Sequence, residues 1–384
     1  MMALVRLLNG DKRPPRRIHG RTPCVQAARE RNDLKTETLR ADGDAVIYRV
    51  EADPSEVEAA YVDGLEGFIQ QFQLTELEGA TPEQKIINAI GEDQGAQAIE
   101  SAVIGYFIPL ALKQMNVIPL SSSDILEKDT LVKGKPFSFT MSLIPKPEFE
   151  LTDYAPFTVT VPEPPEVTDE DIDAQIQMLA QQFAEQSRTS ESDPVVVPAV
   201  TDTWVQQTMG AMGLNTVAEL RQAFRENSER ALQEQYQQLV LDALLEVYFD
   251  RFNGEVTDAM VQSMTQDMVE QFKAELVQNG TTIEQYCQSN GITEELIAER
   301  LSEQAKNQLV QGFILDAVYR HEGLSIDVPD LMAMVHMLSP GNEEATFDLM
   351  DKTGRTFLLK EGAERNKALA WILENNKVLG VPAE

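Results

Sequence analysis

KPFSFTMSLIPKPEFELTDYAPFTVTVPEPPEVTDEDIDAQIQMLAQQFAEQ, residues 135–186, divides the chain into two kinds of sequence. Phe137, Phe139, Met141 and Leu143 recur at every second position with Ser138, Thr140 and Ser142 between them. A period of two predicts a strand with an apolar face and a hydroxyl face. Pro145 and Pro147 stop it, and Phe157 to Val161 form a second extended run. Pro162, Pro164 and Pro165 then make a stiff spacer, since proline fixes φ and offers no N–H to a ladder. Thr168 has the chemistry of a helix N-cap, followed by Asp169, Glu170 and Asp171 where the helix dipole favours acids. Ile172, Ile176, Leu179 and Phe183 continue at helical spacing, the stripe of a helix packed on one side. The pattern predicts an α+β N-terminal domain, a small sheet with long helices, followed by an all-α C-terminal domain. The divisions expected are a basic tail over residues 1–34, a first domain over 35–150 and a helical domain over 151–384.

The chain has 384 residues, enough for more than one core, and its apolar fraction of 42% is that of a globular protein. The net charge of −31 argues against nucleic acid as a partner, because phosphate contacts require cations. Cys24 and Cys287 make no disulfide framework, and a reducing cytoplasmic setting suits them. His19, His321 and His336 show no ligand spacing, so neither a metal nor a cofactor is expected. No apolar run reaches the ~18 residues of a membrane span. The longest, Val103 to Leu112, contains Gly105 and Pro109 and reads as a buried helix, so no membrane partner is expected. Residues 1–33 carry eight Arg/Lys against three Asp/Glu, and Ala3 to Leu8 is too short for a secretory core. Neither a Walker pattern nor Gly-x-Gly-x-x-Gly occurs, which leaves no candidate catalytic residue.

Toward the N-terminus, Glu37 to Glu51 with Asp42-Gly43-Asp44 predicts a hairpin, and Pro54-Ser55-Glu56 opens a helix. Helices are expected from Pro82 and from Gln97 to Met115. Beyond the spacer, Thr216 and Glu219 form a capping-box pair ahead of a long helix. Thr257 to Gln278 carries Met260, Met264, Met268, Phe272 and Leu276 at four-residue spacing. Leu331, Met332, Met334, Met337 and Leu338 form a second cluster after Pro329.

Residues 147–151 (PEFEL), Val159 to Pro162, and Val167 to Asp173 resemble the matching segment of trigger factor, the bacterial ribosome-associated chaperone. Asn366 to Asn375 resembles that family's C-terminal helix, and the resemblance covers roughly residues 36–380. It implies an N-terminal ribosome-docking domain and helical arms that form a cradle for unfolded or nascent polypeptides. On this resemblance the two methionine clusters are candidate client surfaces: Met260, Met264, Met268 and Phe272 on one arm, Leu331, Met334, Met337 and Leu338 on the other. A plain core role for the same residues stays open. Methionine is flexible and polarizable, so a surface built from it can repack around varied segments.

Two departures from the family stand out. The family's ribosome-binding loop reads Gly-Phe-Arg-x-Gly-x-x-Pro, and the equivalent here holds Glu76, Leu77, Glu78, Gly79 and Pro82. Gly79 and Pro82 match, whereas the Phe and Arg positions hold Glu76 and Leu77, and no basic residue lies between Phe72 and Lys85. Ribosome binding is therefore expected to be weak or absent, since RNA docking rests on cations. The family's inserted peptidyl-prolyl isomerase domain has only Ser187 to Trp204 in its place, too short for a globular core, so no isomerase is expected.

The resulting expectation is an ATP-independent, cytoplasmic chaperone acting off the ribosome. Its acidity would keep exposed apolar surface in solution and favour basic clients. The alternatives are a ribosome-bound co-translational chaperone and an assembly scaffold for one partner. A homodimer stays open.

Overall fold

The computed structural model describes residues 34–71, 74, 80–186 and 196–381. The expected hairpin is β1 (Lys35–Asp42) and β2 (Ala45–Ala52), closed by a two-residue turn in which Gly43 takes φ +63. Two-residue hairpin turns demand such left-handed backbone, which glycine adopts at no steric cost. Asp53 and Glu56 form a capping box at α1 (Pro54–Ala59), and a π-helical turn leads into α2 (Leu65–Gln71). Thr81 and Gln84 form another at α3 (Pro82–Ile90).

Helix α4 (Glu92–Met115) starts earlier than the expected Gln97, because Gly91 at φ +90 ends α3 and the acids Glu92 and Asp93 suit a new first turn. It also runs unbroken through Pro109. The carbonyl that a proline leaves without a helical donor lies four residues back, here Gly105, where no side chain crowds the bend. By length and composition α4 could cross a membrane, and half of its most apolar window is buried inside the protein.

The chain continues through β3 (Asp124–Lys128), β4 (Phe137–Leu143), β5 (Glu150–Leu151) and β6 (Thr158–Pro162). Then come α5 (Asp169–Gln186), α6 (Asp202–Met209), α7 (Val217–Arg251), β7 (Phe252–Asn253) and α8 (Asp258–Gln278). The last elements are α9 (Ile283–Asn290), α10 (Glu294–His321), α11 (Val328–Leu338), α12 (Glu343–Lys352), α13 (Thr356–Asn375) and β8 (Lys377–Val381). Thr201, Thr257, Thr282 and Thr293 each accept from a backbone N–H in the first turn of the helix they precede. Thr168 and Asp171 do the same reciprocally for α5.

The structure falls into two compact units that do not follow chain order. One holds the described residues from Leu34 to Tyr154 together with Tyr248–Trp371. Its four-stranded antiparallel sheet has the order β1-β2-β4-β3. Phe137, Phe139, Met141 and Leu143 pack with Val103, Phe107 and Ala111 of α4, as the period of two predicts. On the hydroxyl face Thr140 is buried, and so is Ile47 beside Ser142. A second cluster joins Ile144 to Met260, Leu309 and Phe313, and α8 packs along α10.

The other unit holds the described residues of Ala155–Val247 together with Ile372–Val381. Ile172, Ile176, Val205, Met209 and Leu220 form its core. The connection expected over Ser187–Trp204 ends sooner, since Thr201 caps α6 and Trp204 is a helical residue packed edge-on to Phe183 at 5.7 Å. Pro162 closes β6 rather than lying in a spacer. The strand pairs in parallel with β8, Val159 opposite Val378 and Pro162 opposite Val381, a two-stranded ladder added to the helical C-terminal region.

Candidate functional site

Within the unit built on the four-stranded sheet lies a cavity of about 480 Å³. Its wall on α4 is Gly105, Ile108, Pro109 and Leu112, and Met264, Leu309 and Phe313 face it from α8 and α10. Phe357 and Leu358 of α13 and the segment Pro119–Ser123 complete the lining. That segment is held by backbone: Leu120 N donates to Ile144 O at 2.8 Å and Lys146 N to Ile118 O at 2.8 Å. Ser121 then meets Ser263 on α8, and Ser122 N donates to Asp267 Oδ2 at 2.7 Å.

One side of the cavity is backed by four charges in a closed ring. Lys146 Nζ is 2.7 Å from Asp316 Oδ2 and 2.6 Å from Glu361 Oε1. Arg365 answers with Nε 3.1 Å from Asp316 Oδ1, Nη2 3.0 Å from Asp316 Oδ2, and Nη2 2.8 Å from Glu361. Asp316 is buried, and two cations around it supply the compensation that a buried carboxylate requires. Burial alone would lower the Arg365 pKa, and its hydrogen bonds to Asp316 and the nearby acids outweigh that and raise it. Gly312 makes room for the guanidinium: a Cβ there would stand 2.7 Å from Arg365 Nη2. Arg355, at the mouth, is exposed and makes no side-chain hydrogen bond or ion pair with any described residue.

The residues singled out from sequence are distributed unevenly over this geometry. Met260 is 7% exposed and sits in the cluster with Ile144, Leu309 and Phe313. Met264, one turn on, is partly buried and lines the cavity. Met268 and Phe272 are half-buried farther along α8, where Phe272 meets Tyr286 of α9 edge-on at 5.4 Å. The regular four-residue stripe therefore passes from core to cavity wall to a helix–helix contact. On α11, Leu331, Met332, Met334 and Met337 are half-buried, and Leu338 is 61% exposed. Met334 is seated against α13, its methyl 2.5 Å from where a Gly362 Cβ would stand and its sulfur 2.9 Å from Asn366 Nδ2. Glu76, Leu77, Glu78 and Gly79 lie outside the described residues, while Pro82 is the first residue of α3. Cys287 is buried, which raises its thiol pKa, and Cys24 falls outside the described residues.

Sequence reasoning missed the charged ring. Its members lie at 146, 316, 361 and 365, and acids are too common in this chain for any one to stand out. Asp316 carried the available signal, as the single charge in the run Gly312 to Val318.

Comparison with known proteins places both halves of the chain. The model of the bacterial trigger factor protein (TF) matches residues 34–179, and the model of the bacterial trigger factor protein C-terminus matches residues 216–374. A trigger factor of Agathobacter rectalis is 22% identical over 183 residues, which cover 47% of this chain and 41% of the relative. One of Anoxybacillus flavithermus is 20% identical over 166 residues, so the matched stretch spans well under half of either relative's length. A trigger factor of Lysinibacillus sphaericus aligns over 424 positions at 20% identity, covering 88% of this chain and 98% of the relative. That alignment is longer than this whole chain of 384 residues, so the relative carries sequence that this chain lacks. A solved structure of the trigger factor chaperone, from work on promiscuous substrate recognition in folding and assembly, covers 88% of this chain at 13% identity. Its TM-score is 0.35, and it covers 99% of that chain. With an N-terminal and a C-terminal family model matched in the family's order, the chain belongs to the trigger factor family.

Proposed function

We propose that the protein is an ATP-independent chaperone that holds apolar segments of unfolded or nascent polypeptides. The observation that carries this reading is the cavity floored by Ile108, Leu112, Met264, Leu309 and Phe313, set in a chain of this family. A cavity of this size accepts side chains of a client rather than a folded domain, so contacts are local and release needs no large rearrangement. The absence of a phosphate loop from the sequence supports independence from nucleotide.

The protein acts in the cytoplasm and away from the ribosome. Support for the second point is sequence chemistry: no cation lies between Phe72 and Lys85 to meet RNA phosphate. It is not an isomerase. Between the two family matches lie only residues 180–215, and an isomerase domain needs at least ~50 residues.

The test is light scattering. A chemically unfolded enzyme is diluted into buffer with and without the purified chain, each with and without ATP. Suppressed scattering that ATP does not alter supports the reading. Unchanged scattering at a severalfold molar excess of the chain overturns it.

A further inference from the structure

The charge at the mouth of the cavity is opposite in sign to that of the chain. The cavity is lined by three cations, Lys146, Arg355 and Arg365, against one acid, Glu361, in a protein of net −31. Most of these cations are already matched. Arg365 belongs to the closed ring with Lys146, Asp316 and Glu361. Arg355 alone of the mouth residues keeps an uncompensated charge among the described residues. It stands beside Phe357 and Leu358, at the edge of an apolar volume of about 480 Å³.

We propose that this cavity is a subsite for an apolar side chain of an unfolded polypeptide with a carboxylate beside it in sequence, the carboxylate pairing with Arg355. The inference rests on the chaperone reading above and names the chemistry of what that site selects. A volume of about 480 Å³ lies within the range of small-molecule sites, about 300–1,000 Å³, room enough for a large apolar side chain. The guanidinium fork is suited to a carboxylate, which it can grip through two N–H groups. The long-range field of the acidic chain draws basic segments, but at physiological salt that field decays over about 8 Å. Within contact distance of the cavity floor, Arg355 therefore decides.

The test uses the full chain and three fluorescent peptides with blocked termini, identical except for Asp, Asn or Lys after a central Leu. Affinities are read by anisotropy at about 150 mM salt. An exposed pair of this kind makes the Asp peptide about threefold tighter than the Asn peptide, with the Lys peptide weaker again. Arg355→Gln brings the three together, and Arg355→Glu inverts their order. Equal binding of the Asp and Asn peptides to the unaltered chain, or an Asp preference that survives Arg355→Glu, overturns the proposal. If no peptide binds while aggregation of an unfolded enzyme is still suppressed, the subsite is wrong and the chaperone reading stands. If neither effect is seen, the chaperone reading fails and the subsite falls with it.

Discussion

Arg365 holds Asp316 through both nitrogens of one edge of its guanidinium, 3.1 Å and 3.0 Å from the two carboxylate oxygens. This is the bidentate geometry that makes arginine–carboxylate pairs strong, and here the carboxylate is buried. Removing one partner leaves a charge without compensation in the interior. Asp316→Ala is therefore expected to destabilise this unit by about 3 kcal/mol, toward the lower end of what breaking buried pairs costs. A urea melt of the full chain measures it. Gly312→Ala should lower stability in the same melt, because its methyl would meet Arg365 Nη2. An unaltered midpoint for both variants would show that the ring contributes nothing.

Met260 and Met264 are neighbours on one stripe of α8 and should fail in different assays. Met260→Ala opens a cavity in the cluster with Leu309 and Phe313, at a cost of about 2–4 kcal/mol. Met264→Ala trims a partly buried wall of the site. It is expected to cost less than about 1.5 kcal/mol in stability while weakening an apolar peptide severalfold. The pair is tested by a melt and a peptide titration on each variant, and an identical profile for both would remove the distinction.

Glu343 ties the end of α11 to the start of α12. Its Oε1 lies 2.5 Å from His336 Nδ1 and 2.9 Å from Gly341 N. The hydrogen bond from His336, followed by that from the Gly341 backbone, lowers its pKa from 4.5 to about 2. A carboxyl whose folded value is depressed adds stability above its unfolded pKa and loses it as pH falls through the folded one. This corner should thus be intact above pH 4.5 and weaken between pH 4.5 and 2. Titrating the Glu343 side-chain carbon by NMR gives the midpoint directly. A midpoint near 4.5 would sever the proposed link.

Ribosome association is the fourth prediction. At physiological salt the unaltered chain should stay in the supernatant when sedimented with ribosomes. A variant with Glu76→Phe, Leu77→Arg and Glu78→Lys should shift toward the pellet, since it regains the cation that phosphate contacts require. Pelleting of the unaltered chain would show that docking uses other residues.

Elements specified by nearby residues could be read from the sequence. β4 announces itself by strict alternation, and α5 and α7 by reciprocal capping at Thr168 and Thr216. β3 was invisible because Asp124–Lys128 holds only two apolar residues and lies at a sheet edge. β8 was missed for another reason: its partner β6 lies more than two hundred residues earlier, and a parallel ladder leaves no turn signature. The candidate site was half legible. The spacing of Met260 and Met264 marks a helix face, but burial differs from one position to the next, and only packing against α10 separates core from wall. The ring around Asp316 depends on residues from three distant stretches, which no local pattern connects.

The pairing of β6 with β8 bears on how this protein is born. Synthesis runs from the N-terminus, yet Thr158–Pro162 must wait for Lys377–Val381 before its ladder can close. The sheet-bearing unit waits in the same way, since it draws on Tyr248–Trp371 as well as on the first part of the chain. Neither unit can be completed until the chain has left the tunnel as far as Trp371 for one and Val381 for the other. The growing chain therefore passes through a long interval with open strand edges and bare apolar faces, conditions that favour misassembly in any protein. A member of a chaperone family thus passes through a long unfolded interval during its own synthesis.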